Sequence, residues 1–312
     1  MFAPMRIVFM GTPDFAVPSL QILWENGYEI PAVITAPDKP GGRLGLMQSP
    51  VKKFALEHGL KVLQPEKLKN PAFLDELHAC RADLQVVVAF RMLPEVVWAM
   101  PPLGTLNLHA SLLPKYRGAA PINWAIIRGE TETGLTTFLL RHEIDTGDIL
   151  FQERIAIGEN ETAGELHDRM MPIGARLVLR TVQALERGEV RPQPQPDAEA
   201  THAPKIFTDT CHLRFDQPTA QVHNFVRGLS PHPGAWALLE GKVFKILRTL
   251  KEYTPPTLPP GHLTFPPEGG TWATTADGHV QLLEVQLEGK RRMSGAEFRN
   301  GYGNRWAGVP LT

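Results

Sequence analysis

Cysteine is almost missing from this chain of 312 residues: there are two, Cys80 and Cys211, and no C-x-x-C. A disulfide framework and a cysteine-built zinc site are therefore excluded, and a reducing, cytoplasmic setting is expected. Aromatic residues make up only 8%, and no window approaches eighteen uncharged apolar residues, so no membrane span is expected. Residues Met1 to Arg6 lack the basic region and apolar core of a signal peptide and run quickly into a turn at Gly11-Thr-Pro13. The formal net charge is only −1, which gives no bulk attraction to nucleic acid. G-x-G-x-x-G is absent, so a nicotinamide or flavin site is not expected; H-E-x-x-H is absent too, and no metal is expected. Nor is there an internal repeat.

What is present is a globular composition, 43% hydrophobic and 21% charged, on a length that suits two domains. Apolar runs at Ile7–Met10, Ile30–Thr35, Lys61–Gln64 and Leu84–Ala89 alternate with helical spacing over Phe15–Trp24 and Val51–His58. Such alternation predicts an α/β, Rossmann-like, mostly parallel sheet. Further strands are expected at Thr105–His109, Gly134–Leu140 and Ile149–Ile157, the last two joined by a tight turn, with helices over Ile122–Ile127 and Thr162–Glu186. Arg191-Pro-Gln-Pro-Gln-Pro196 cannot continue a helix and reads as an extended spacer. The expected division is a catalytic domain at 1–189, a linker at 190–206, and a smaller, mainly β, barrel-like (OB-like) domain at 207–312. Residues 205–312 carry 12 Lys+Arg against 9 Asp+Glu, a net +3 that hints weakly at a polyanionic ligand.

In an open α/β sheet the ligand lies outside the carboxyl ends of the strands. The most informative such end is Asn107-Leu-His109, where side chains two apart project to one face, so an amide and an imidazole share a site. An isolated Asn-x-His at a strand end is more often a satisfied structural pair, and an isolated Asp-Thr-Gly-Asp is mostly a turn signal. Asp145, in Ile144-Asp-Thr-Gly-Asp148, nonetheless completes an amide, an imidazole and a carboxylate, the set that addition of an amine to a carbonyl carbon requires.

The string Asn107-Leu-His-Ala-Ser-Leu-Leu-Pro-Lys-Tyr-Arg-Gly-Ala-Ala-Pro121, taken with Asp145, closely resembles the methionyl-tRNA formyltransferase family. The likeness extends to Val8-Phe-Met-Gly-Thr-Pro-Asp-Phe15, Pro37-Asp-Lys-Pro-Gly-Gly-Arg43, Ser49-Pro-Val-Lys52 and the two-domain layout, nearly the whole chain. The resemblance implies transfer of a formyl group from 10-formyltetrahydrofolate to the α-amino group of initiator methionyl-tRNA. Asn107 and His109 would stabilise the oxyanion, and Asp145 would orient His109 and assist proton transfer. It also assigns the folate to Ser111, Leu112, Leu113 and Pro114, with Val88 and Phe90 nearby, and tRNA to the loop 36–50 through Arg43 and Lys39. Leu44-Gly-Leu46 stands where the family often has lysines, and Phe90-Arg91 where it usually has Tyr-Gly, which bears on the tRNA and folate contacts respectively. Lys242, Lys245, Arg248, Lys251 and Lys290-Arg-Arg292 are further phosphate candidates, though each taken singly reads more readily as solvated surface charge. A monomer is expected. The competing readings are transfer to an amino-sugar nucleotide and a non-catalytic RNA-binding module on the same fold.

Overall fold

The run Ile7–Gly11 forms the first strand, β1, with every side chain buried, as a strand covered on both faces requires. In the computed structural model, which describes residues 4–41 and 45–312, a single-turn 3-10 segment at Asp14–Ala16 then leads into α1 (Val17–Glu25). There follow β2 (Val33–Ile34), β3 (Lys39–Pro40), β4 (Leu46–Met47), α2 (Pro50–Glu57), β5 (Val62–Leu63), α3 (Pro71–Ala79), β6 (Leu84–Val88), α4 (Glu95–Trp98) and β7 (Thr105–His109). Next come β8 (Arg117–Gly118), α5 (Pro121–Ile127), β9 (Glu132–Leu139), β10 (Ile149–Ala156), α6 (Ala163–Glu186) and β11 (His202–Ala203). Prolines open α2, α3 and α5, where a missing N–H costs nothing, and Ser49 and Asn70 cap the first two by accepting from the N–H groups of Lys52 and Ala72.

The first sheet has the order β10-β9-β7-β6-β1-β2-β5. β5, β2, β1, β6 and β7 are parallel neighbours, and β9 runs antiparallel to β7. From β1 the chain builds outward through β2 and β5, then returns to the other side of β1 with β6 and β7. The direction of winding therefore reverses between β1 and β6, and in open α/β sheets ligands bind outside the carboxyl ends at such a point. At that point Gly11 pairs with Val88, and a Cβ on Gly11 would sit 2.7 Å from the Cβ of Ala16 and 2.9 Å from the Val88 carbonyl oxygen. Only glycine permits this approach. One face of the sheet is sealed by Val8, Met10, Ile34, Phe73, Leu77, Val87 and Val97.

Two expectations need correction here. The link from β9 to β10 is no tight turn but a nine-residue connection, 140–148, with room for a functional loop. The proline-rich segment is extended as expected, yet it is docked: the N–H and C=O of Gln193 bond to those of Ile149 at 2.9 and 2.8 Å.

The C-terminal strands β12 (Ala235–Leu239), β13 (Lys242–Glu252), β14 (Leu263–Thr264), β15 (Thr271–Thr274) and β16 (His279–Leu287) form an antiparallel sheet in the order β12-β13-β16-β15-β14, with β17 (Met293–Ser294) on β16. Two helices absent from the sequence reading pack on it, α7 (Thr219–Leu229) and α8 (Gly295–Trp306). α8 contains three glycines, which weaken a helix on propensity alone. It forms nonetheless because Ser294 and Glu297 close a capping box and because Phe298, Tyr302 and Trp306 stack along one face into the core. Contacts divide the chain into two units: 1–117, 134–155 and 167–202 in the first, and 118–133, 156–166 and 203–312 in the second. Helix α5 thus counts with the C-terminal strands; Asn123 donates to the Gly228 carbonyl at 2.8 Å, and Ile127 packs on their core.

Candidate active site

Strand β7 carries the site because its pairing with β6 and β9 places Asn107 opposite Val87 and Phe138, and His109 opposite Thr136. Period two puts Asn107 and His109 on one face. His109 is buried, 7% exposed. Its Nε2 lies 2.8 Å from the Tyr116 carbonyl oxygen; a carbonyl only accepts, so Nε2 carries the proton. Nδ1 faces Oδ2 of Asp145 across 3.7 Å. That gap exceeds a hydrogen bond.

Asp145 comes from the nine-residue connection, in a left-handed conformation with φ of 56°. Asp tolerates this region better than most residues. Among the bonds that hold the loop, Gln195 Nε2 donates to the carbonyls of Asp145 and Gly147, each at 2.8 Å, and Thr146 Oγ1 to the Glu143 carbonyl at 3.0 Å. Gly147 fits only as glycine, since a Cβ there would lie 1.7 Å from the Leu139 carbonyl oxygen. Ala89, just past the end of β6, and Tyr116, just before β8, are also left-handed, with φ of 47° and 60°. Non-glycine residues so held cost of order 1–3 kcal/mol each, which the surrounding structure must sustain.

Ser111 to Pro114 serve first as a rigid turn. Ser111 is fully buried, and its hydroxyl donates to the Lys115 carbonyl at 2.6 Å. Thr136 Oγ1 donates to the Ser111 carbonyl and accepts from the Leu113 N–H, while Gln152 Nε2 donates to the Leu113 carbonyl at 2.9 Å. Leu113 and Pro114 are buried; only Leu112 is partly open to solvent. Val88 is completely enclosed, so that strand end presents the backbone of Ala89 and the half-buried Phe90. Arg91 lies over the Phe90 ring, 5.3 Å from its centroid, and its guanidinium donates to the carbonyls of Pro65 and Glu66. Burial lowers its pKa.

Lys39 is exposed on β3, and Arg43 lies outside the described residues. The stem of their loop is pinned: Lys52 Nζ is 2.6 Å from Asp38, Gln64 bonds Asp38 and the Ala36 carbonyl, and Thr35 and Ser49 share a hydroxyl bond of 2.7 Å. The bonds from Lys52 and then Gln64 hold the Asp38 carboxyl below its usual range. Of the other cations, Lys251 pairs with Glu159 at 2.8 Å, Arg291 with Glu297 at 2.7 Å, Arg248 with Glu165, and Arg292 lies 3.9 Å from Glu284. Lys245 donates to the Pro233 carbonyl, and Lys242 and Lys290 are exposed. Among the described residues no three His, Cys, Asp or Glu side chains come together as a metal site would require, and no helix is long and apolar enough to cross a membrane.

Sequence reasoning missed Tyr116, Thr136, Gln152 and Gln195. Tyr116 acts through its carbonyl, to which side-chain identity is no guide. The other three are ordinary polar residues whose partners are far away in the chain.

The chain matches the formyl transferase family over residues 5–182 and the formyl transferase C-terminal domain over 205–303. It is 53% identical over 310 residues to a methionyl-tRNA formyltransferase of Parabacteroides distasonis, covering 96% of both chains. Its fold resembles that of an N-formyltransferase from Helicobacter canadensis, solved with folinic acid and dTDP-3-aminofucose, at a TM-score of 0.69 and 19% identity, covering 91% of this chain and 99% of that one. It also resembles a methionyl-tRNA formyltransferase from Clostridium thermocellum at a TM-score of 0.57 and 14% identity, covering 91% and 98%. With both domains in succession and about half its residues shared along nearly its full length, the chain belongs to the formyl transferase family, among the methionyl-tRNA formyltransferases.

Proposed function

We propose that this enzyme transfers the formyl group of 10-formyltetrahydrofolate to the α-amino group of methionyl-initiator tRNA. The observation that carries the chemistry is the meeting of His109 Nδ1 and Asp145 Oδ2, 3.7 Å apart, on the strand end that also bears Asn107. The acceptor is supported by the 53% identity to a methionyl-tRNA formyltransferase over 96% of the chain. In the reaction the amine nitrogen bonds to the formyl carbon, charge develops on the formyl oxygen, the bond to the folate nitrogen breaks, and that nitrogen recovers a proton. Asn107 donates its amide N–H to the developing oxyanion, a contribution of roughly 3 kcal/mol for one such donor in acyl transfer. His109, oriented by the Tyr116 carbonyl, keeps Nδ1 toward Asp145. Proton transfer from the amine to this pair leaves an imidazolium against the carboxylate, whose positive charge also favours the oxyanion.

Ser111 to Pro114 and the Val88–Phe90 strand end form the folate side of this reading, mostly through backbone groups. Lys39 and Arg43 form the tRNA side. The test is a single-turnover assay with 10-formyltetrahydrofolate and methionyl-initiator tRNA, comparing wild type with His109→Ala. Formylation by the wild type and its collapse in the variant support the proposal. If the folded wild type binds folate but does not formylate the tRNA, an amino-sugar nucleotide becomes the acceptor to try.

A further inference from the structure

Gln195 lies in the proline-rich segment expected to be only a spacer, yet each end of its amide is engaged at the site. Nε2 donates to the carbonyls of Asp145 and Gly147, both at 2.8 Å. Oε1 accepts from Nε and Nη2 of Arg117 at 3.1 and 2.8 Å. Arg117 is itself buried, 9% exposed, and Nη2 reaches Asp197 at 2.9 Å. It directly follows Tyr116, whose carbonyl fixes His109. A single side chain therefore ties the loop that carries the carboxylate to the turn that orients the imidazole. The segment around it is anchored by the paired backbones of Gln193 and Ile149.

We propose that Gln195 is a positioning residue for formyl transfer, acting through Asp145. Resting on the catalytic reading above, this adds a device to it: the residue does not touch either substrate, but sets where the Asp145 carboxylate stands relative to His109. The left-handed backbone of Asp145, with φ of 56°, is costly unless over-determined. Two carbonyl bonds from one amide provide that constraint, and a neutral donor does so without adding charge beside the carboxylate. Glutamine suits the task because it must donate to two carbonyls and accept from a guanidinium at once; Glu could serve Arg117 but not the carbonyls, and Met neither.

The experiment is a double-mutant cycle in single-turnover formylation, with Gln195→Met, Asp145→Asn and the double variant, each checked for folding by its thermal midpoint. Gln195→Met is expected to lower kcat about tenfold or more, because misplacing a reacting group by ~1 Å costs up to ~100-fold, while KM for folate and for tRNA is unchanged. In the Asp145→Asn background the same substitution is expected to cost nothing further, as for residues acting through one group. Gln195→Glu, which keeps the acceptor for Arg117, is expected to fall with Gln195→Met and serves in its place if that variant does not fold. An undiminished kcat in Gln195→Met beside an impaired Asp145→Asn overturns the inference and leaves the catalytic reading intact. Losses that multiply in the double variant, or that appear only in KM, overturn it as well. An undiminished Asp145→Asn removes the catalytic reading, and the inference with it.

Discussion

Asp145 shows how a residue's backbone can matter as much as its charge. Its left-handed φ of 56° aims a carboxylate at His109 from a loop that regular structure does not hold. Asn107→Ala, His109→Ala and Asp145→Ala are each expected to reduce kcat by about 100-fold or more, the scale of losing one oxyanion donor or proton-transfer group. Their thermal midpoints should stay near wild type; stopped reactions on the folded variants check this. Gly147→Ala is a different kind of lesion. Its new Cβ would meet the Leu139 carbonyl oxygen at 1.7 Å, so both activity and thermal midpoint should fall together. At this scale Asn107 and His109 were legible because a strand's period alone sets their common face. Tyr116 was not, since the group that orients His109 is a carbonyl every residue possesses.

Among the elements, α7 and the stem of the 36–50 loop each yield a test. On α7, His223 is 1% exposed; its Nε2–H donates to the Glu159 carbonyl and Nδ1 accepts from Thr249 Oγ1 at 2.8 Å. Burial pushes its pKa down to about 4. Because the unfolded chain takes up that proton near pH 6.5, the stability tied to neutral His223 is complete above pH 6.5 and is lost as pH falls toward 4. The loss amounts to about 3 kcal/mol at one pKa unit per ~1.4 kcal/mol. Urea midpoints at pH 7 and pH 5 should therefore separate in the wild type and draw together in His223→Gln. In the loop stem, Asp38→Asn removes the charge that Lys52 grips at 2.6 Å. If the hairpin presents tRNA-binding groups, KM for tRNA should rise several-fold with KM for folate unchanged; equal KM values for tRNA in the two proteins would remove the stem from recognition. Helix α7 escaped the sequence reading because its buried face includes Thr219, His223 and Arg227, polar residues whose partners lie mostly far along the chain.

For the molecule as a whole, the contact units do not follow the order of the chain. Helix α5 precedes the proline-rich segment but packs against α7, with Gly228 closely apposed: a Cβ there would lie 2.6 Å from Ile127 Cγ1 and 3.1 Å from the Asn123 carbonyl oxygen. Gly228→Ala should cost about 1–3 kcal/mol by overpacking, read as a lowered denaturant midpoint. A fragment ending at Pro204 should bind an apolar dye and aggregate, because α5 would lose its partner. Six of the twelve C-terminal Lys and Arg side chains are already paired with carboxylates, so a binding surface there offers fewer counter-ion-releasing groups than the raw count of Lys and Arg implies.

The sequence by itself determined the alternating α/β plan, the parallel strands and the common face of Asn107 and His109. These follow from local rules: apolar runs buried on both faces, prolines and caps that start helices, and a two-residue period that pairs Asn107 with His109. Tertiary structure alone decided how far Asp145 stands from His109, that Ser111's hydroxyl is spent inside its own turn, and that Gln195 reaches back some fifty residues to hold the loop. The first and last depend on contacts between segments remote in the chain, whose partners no local pattern encodes; the Ser111 and Gln195 bonds end on backbone carbonyls, which have no residue identity to read.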